Sequence, residues 1–198
     1  MSGKWLSEYR KKLTTAEEAV SLVKSGDVIF MGEFAQNVEA LDIALSKRKD
    51  ELHDVVLVTT TRTKPIKCVE ADPLRQSFIW DDWHFSGVAR KFFDQGLASY
   101  IPFTYHQGPR VVAKYSNVDF VFIQVAPMDE KGFFNFSTSN SMSYAYCKKA
   151  ARVIVEVNNT VPKCLGGSSE SIHISEVDMI VEGPNTPLVE LQPATPSE

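Results

Sequence analysis

The chain predicts an α/β fold, an open and mostly parallel sheet flanked by helices in Rossmann-like layers. β-branched runs such as Asp54–Thr60 alternate with segments of helical spacing in the order α, α, β, α, β, and that alternation builds parallel sheets through crossover connections. The run Val118–Ala126 (VDFVFIQVA) is apolar almost throughout, which suits a central strand covered on both faces. With 43% hydrophobic and 23% charged residues in 198, the composition is that of an ordinary globular domain with a core of useful size.

Trp5–Leu13 places apolar residues at helical spacing. Thr14-Thr15-Ala16-Glu17 has the form of a capping box before a helix over Ala16–Lys24, and Gly26 falls where a C′ glycine belongs. Asp27–Gly32 reads as the first strand, Glu33–Asn37 as a loop ending on an N-cap, and Val38 to about Lys49 as a helix with an apolar side. Asp54–Thr60 is the second strand. Thr61–Pro73 is a polar connection interrupted by Pro65 and Pro73, after which 76–80 resumes extended structure. Ser86 is a cap for a helix over Gly87–Phe93, ended by Gln95-Gly96. Ala98–Phe103 follows as a strand, and Gln107–Tyr115 as a short helix that tolerates Pro109 in its first turn.

Pro127–Gly132 stops the central strand with a residue lacking an N–H and a glycine free to take φ > 0. Phe133–Phe136 is extended again, and the hydroxyls and amide of Ser137–Ser141 open a helix over Ser141–Ala151. A strand at Val153–Val157, brief pairing at Pro162–Leu165 and an extended run over Ile172–Glu182 complete a domain of residues 1–183 with six or seven strands. The ending GPNTPLVELQPATPSE holds four of the ten prolines. Residues 184–198 therefore read as a Pro-rich tail or linker.

Several function classes are disfavoured. A net charge of −4 without a basic stripe argues against nucleic acid. No apolar run approaches the roughly 18 residues of a membrane span, and the basic start MSGKWLSEYRKKL lacks the apolar stretch of a secretory signal. A cytoplasmic protein is expected. Cys68, Cys147 and Cys164 show no C-x-x-C spacing and read as reduced thiols, while the four scattered histidines form no metal pattern.

The loop Gly32–Val38 follows a strand and precedes a helix, where phosphate-binding loops occur, yet it holds one glycine only. A dinucleotide-dependent oxidoreductase is thereby disfavoured. Glu33 in that loop has the type of a general base, against the simpler reading of a solvent-facing loop carboxylate. His84, between Trp83 and Phe85, either lines a site or packs among aromatics, and packing is the commoner outcome. His173 reads as the solvent face of a strand, and Asp81-Asp82 must face opposite ways on one. Ser168 and Ser169 lack the nucleophile-elbow pattern, and Cys147 reads as buried.

Three gapped runs carry a family likeness: Gln124-Val125-Ala126-Pro127-Met128-Asp129-x-x-Gly132-x-Phe134-Asn135-Phe136, Trp80-x-x-Trp83-His84-x-Ser86-Gly87-x-x-Arg90-Lys91, and Cys164-Leu165-Gly166-Gly167 with Ile172–Gly183. They resemble the N-terminal half of the acetyl-CoA hydrolase/transferase family, most closely its butyryl-CoA:acetate and 4-hydroxybutyrate CoA-transferases. The resemblance implies a two-domain enzyme about twice this length that moves coenzyme A between acyl groups by covalent catalysis. Its nucleophilic glutamate and the glycine-rich loop that holds the oxyanion belong to the C-terminal half, so no catalytic residue is assigned here. Coenzyme A thioester enters as substrate, and no permanently bound cofactor or metal is implied. The partners implied are the C-terminal half, an acyl-CoA and a short-chain carboxylate.

By position, the loops after the first strand and after Phe136 face the inter-domain cleft. They nominate Gly32, Glu33, Gln36, Asn37, Ser137, Ser139 and Asn140 as substrate-binding, with His84 beside them. Where the family commonly has Gly-Thr-Pro, this chain has Gln36-Asn37-Val38, which changes the backbone freedom of that loop. A bare half exposes an apolar cleft wall, and self-association into a homo-oligomer follows. Acyl-CoA hydrolysis and a solitary non-catalytic binding domain are the alternatives left open.

Overall fold

The computed structural model describes residues 3–190 and Ala194. Seven parallel strands form one sheet: β1 (Val28–Phe34), β2 (Val55–Arg62), β3 (Phe78–Asp82), β4 (Ala98–Tyr100), β5 (Phe120–Val125), β7 (Arg152–Val157) and β9 (Met179–Glu182). Their order is β4-β3-β2-β1-β5-β7-β9, so the chain builds outward from β1 in one direction and then in the other. A small antiparallel pair, β6 (Phe133–Asn135) and β8 (Ser171–His173), stands apart from it. The predicted fold class holds.

Alternation along the strands fills two cores. Ile29, Met31, Leu57, Trp80 and Phe122 point toward α2 (Ala16–Val20), α3 (Glu39–Ser46), α4 (Lys67–Ala71) and α5 (Gly87–Phe93). Phe30, Val121 and Ile123 point the other way, toward α1 (Gly3–Lys12), α6 (Gly108–Tyr115) and α7 (Ser143–Lys149). Phe30 stacks on Tyr146 of α7 with ring centroids 3.8 Å apart. All six residues of β5 are buried between these layers, as its apolar run requires.

Several boundaries differ from the sequence reading, each for a local reason. The capping box sits one residue later: Thr15 accepts from the Glu18 N–H and Glu18 accepts from the Thr15 N–H, and the helix is the five residues of α2. β1 runs on to Phe34, with register shifts from Phe30 onward and Gly32 at φ +79°, so it bends without ending. Asn37 is not the N-cap of α3; Val38 holds that position and supplies no side-chain bond. β4 stops at Tyr100, and a 3₁₀ turn over Tyr105–Gln107 precedes α6. Pro162–Leu165 is in no described strand, and the predicted run over Ile172–Glu182 divides into β8, a 3₁₀ turn at Ile174–Glu176, and β9.

The starts of α3 and α4 are satisfied by carboxylates from elsewhere in the chain. Asp42 of α3 accepts from the N–H groups of Lys67 and Cys68 at 2.8 and 3.1 Å, opening α4. Glu156 of β7 accepts from Ala40 and Leu41 at 3.2 and 3.0 Å, opening α3. α5 is capped locally as predicted, with Ser86 Oγ accepting from Val88 and Ala89. The described part of the predicted tail turns at Asn185, and residues 191–193 and 195–198 lie outside the described residues.

Ser86→Ala removes the sole side-chain cap of α5 and is expected to cost about 1 kcal/mol, against a few tenths for Ser86→Gly. Urea midpoints of the two variants check this ordering.

Candidate functional site

In a doubly wound sheet, ligands sit outside the carboxyl ends of the strands where the strand order reverses. Here that switch point lies between β1 and β5. Its central group is Glu33, 0% exposed. The carboxylate accepts from the backbone N–H groups of Ser141, Met142 and Ser143 at 2.8, 3.0 and 3.0 Å. It also accepts from the hydroxyls of Ser143, at 2.6 Å, and Ser141. The solvent-facing loop reading of Glu33 is thus corrected: β1 continues past Gly32 and carries the carboxylate inward, under the start of α7. The helix dipole and the free N–H groups of that first turn are what an anion satisfies.

The other nominated residues knit around this contact. Gln36 accepts from the Glu33 N–H and donates to Phe136 O, both at 3.2 Å. A Cβ on Gly32 would meet Gln36 Cβ and O at 3.1 Å, so glycine serves both the positive φ and the close approach. Asn37 donates to Ala35 O and to Thr63 Oγ1, while its own carbonyl accepts from Gln124 Nε2 at 2.8 Å. Ser139 Oγ accepts from the Ala35 N–H at 3.3 Å, tying the loop after β6 to the loop after β1. Asn140 donates to Ser169 O, and Ser137 takes φ +59° with its N–H on Asn135 Oδ1. Asn37 Oδ1, Ser137 Oγ and Asn140 Oδ1 are buried without a hydrogen-bond partner among the described residues.

His84 stands apart from this group. It follows β3, and a ring nitrogen lies 2.5 Å from Thr61 Oγ1. The packed reading is corrected, since the side chain is exposed. Its aromatic neighbours turn elsewhere: Trp83 packs edge-on against Phe103, and Phe85 against Phe93 and Tyr100. His173 is only partly exposed, edge-on to Trp5 at 4.6 Å.

Sequence reasoning missed the charge beneath these loops. Arg62 ends β2, is 1% exposed, and donates to Met31 O and Gln36 O at 2.9 and 2.8 Å. Burial lowers its pKa, opposed by the nearby carboxylates of Asp42, Asp82 and Glu156. Burial pushes Asp82 up to about 6 and Glu156 up to about 7, against the hydrogen bonds each accepts. The available signal was an arginine closing a β-branched run, Val55–Arg62. Cys68 and Cys147 are buried and their thiols are pushed upward, which leaves them poor nucleophiles. Among the described residues, no cluster of His, Cys, Asp and Glu is arranged to hold a metal.

The fold and the site define a class: a doubly wound α/β domain that presents amide and hydroxyl groups on loops over a buried charge network. The acetyl-CoA hydrolase/transferase N-terminal domain matches residues 3–190, and the chain belongs to that family. It is 45% identical over 185 residues to a butyryl-CoA:acetate CoA-transferase of Anaerostipes caccae, covering 93% of this chain and 42% of that protein. It is 40% identical to a probable butyrate:acetyl-CoA coenzyme A-transferase of Syntrophomonas wolfei, over 100% of this chain and 44% of the relative. The crystal structure of RipA from Yersinia pestis superposes with a TM-score of 0.85 at 31% identity, over 100% of this chain and 47% of RipA. The chain thus spans less than half the length of these relatives.

Glu33→Ala leaves five donors without their acceptor and is expected to destabilise the fold by about 3 kcal/mol or more, with Glu33→Gln between it and the parent. Urea unfolding measures both. Asp82 and Glu156 keep protons in the folded chain at pH values where the unfolded chain, with pKa values of about 4, has released them. Their contribution is therefore complete below about pH 4 and declines as pH rises through the folded values of about 6 and 7. Urea midpoints are expected to fall between pH 5 and pH 8, and Glu156→Gln to flatten that fall.

Proposed function

We propose that this chain is the N-terminal domain or subunit of a CoA-transferase. The enzyme exchanges coenzyme A between a short-chain acyl-CoA (butyryl, 4-hydroxybutyryl or acetyl) and a carboxylate such as acetate. The observation that carries this reading is the 45% identity, over 93% of the chain, to a transferase named for that exchange. Coenzyme A is then a substrate, with no permanently bound cofactor, and the setting is cytoplasmic. No helix among the described residues is long and apolar enough to cross a membrane.

What Glu33 is doing supports a division of labour between the two halves. A nucleophilic carboxylate needs an accessible oxygen, and both oxygens of Glu33 are engaged under α7. A glutamate of the C-terminal half attacks the thioester carbonyl and expels the CoA thiolate, forming a mixed anhydride. The thiolate then attacks the glutamyl carbonyl and releases the first acid, leaving a glutamyl-CoA thioester that the incoming acid reverses. This chain supplies the facing wall. Ser137 and Asn140, with His84 at its margin, orient the acyl group and the acid over the loops that Gly32, Glu33, Gln36, Asn37 and Ser139 hold in place. Residues 184–198 form the linker toward the catalytic half. Phe93 and Tyr100, packed on Phe85 and about half-exposed, support a homo-oligomer that covers them.

The test combines the chain with a C-terminal half, butyryl-CoA and acetate. Transfer by the pair and none by the chain alone is expected; turnover by the isolated chain would sink the assignment, and CoA release without acetate would make the pair a hydrolase. Asn140→Ala in the active pair is expected to lower kcat/KM about tenfold, the worth of one hydrogen bond.

A further inference from the structure

The described part of the tail crosses the site. After β9 the chain turns at Asn185, whose φ is +58° and whose Oδ1 accepts from the Asn159 N–H at 2.7 Å. Thr186 O then accepts from Asn158 Nδ2 at 2.8 Å and from Thr160 Oγ1 at 3.2 Å. Asn158 follows the last residue of β7, so these bonds hold the segment on the carboxyl edge of the sheet. Thr186, Pro187 and Leu188 come together there with Asn37, Lys64 and Gln124 around a space of about 10 Å³.

That space is at the lower limit for a single water. Asn37 follows β1, and Gln124 lies in β5 and donates to the Asn37 carbonyl, so the space is the switch-point crevice itself. In an open α/β sheet this is where a ligand sits; here the chain's own residues fill it. A larger cavity of about 160 Å³ adjoins on the β2 side, lined by Asn37, Arg62, Lys64 and Lys67. Glu39 and Asp42 line it as well, and it shares Asn37, Glu39 and Lys64 with the filled crevice. Ligand pockets for drug-sized molecules start at about 300 Å³, so what remains open beside the strap suits only a small group.

We propose that residues 185–188 are a strap across the cleft wall, and that Pro187 and Leu188 are specificity-determining residues that limit the acyl chain or acid to short ones. The inference rests on the CoA-transferase reading for its substrate. The geometry of the strap is independent of that reading. Trimming Leu188 widens the crevice that it lines, and removing the Asn185 acceptor takes away one of the three bonds that hold the segment down. Asn185→Gly keeps the left-handed backbone and loses the acceptor, whereas Asn185→Asp keeps both.

The experiment compares these variants in the chain paired with its C-terminal half, using straight-chain acids of four, six and eight carbons as acceptors. Leu188→Ala and Asn185→Gly are expected to raise the eight-to-four-carbon ratio of kcat/KM at least fivefold, and Asn185→Asp to keep the parent ratio. An unchanged ratio in both Leu188→Ala and Asn185→Gly overturns the inference. Hydrogen exchange on the isolated chain decides the matter separately should the parent pair show no transfer. Amides of residues 36–38 and 124–126 are expected to exchange at least tenfold faster in Asn185→Gly than in Asn185→Asp. Equal protection in the two overturns the strap, while absent transfer with the expected exchange overturns only the enzymatic reading.

Discussion

The contact on which the rest of the site depends is the Glu33 carboxylate beneath the first turn of α7. It joins residues more than 100 positions apart and satisfies three backbone N–H groups and two hydroxyls at once. Burying a carboxylate is costly unless it is fully hydrogen-bonded. Here the cost is offset because the donors are ones that any helix start leaves unpaired. The loop after β6 is held there, with Ser139 Oγ on the Ala35 N–H and Asn140 on the Ser169 carbonyl.

The same device recurs across the sheet. Asp42 opens α4, Glu156 opens α3, and Asp72 receives the N–H groups of Gln76, Ser77 and Phe78 at the start of β3. These acids put negative charge inside the molecule, and Arg62, enclosed among Asp42, Asp82 and Glu156, opposes it. A buried charge network of this kind is weak evidence for stability, because removing a partner leaves an uncompensated charge. Its firmer consequence is geometric: Arg62 binds the carbonyls of Met31 and Gln36 and so fixes the loop after β1 from below.

The loops after β1 and β6 are thus tied from below and carry amide and hydroxyl groups. The family model that matches the chain is itself that of an N-terminal domain. Residues 185–188 lie across the same end of the sheet.

The sequence by itself determined the fold class, because alternating apolar runs have only one economical way to be covered on both faces. β5, α5 with its Ser86 cap, and the extended course of Phe133–Asn135 were legible for local reasons: continuous apolarity, a hydroxyl before a helix, and a Pro/Gly turn; its antiparallel pairing with β8 was not. Motif runs spread over most of the chain likewise pointed to the family. The tertiary structure alone decided where Glu33, Arg62, Glu156 and Leu188 lie and what surrounds them. A charged residue near a strand end reads as solvated, and only partners distant in sequence reveal it as buried. His84 erred the other way, since its flanking aromatics pack on other elements and leave it exposed. Local sequence reports propensity and capping; burial is set by what folds over a residue, and for these side chains the covering segments lie about 20 to 150 residues away.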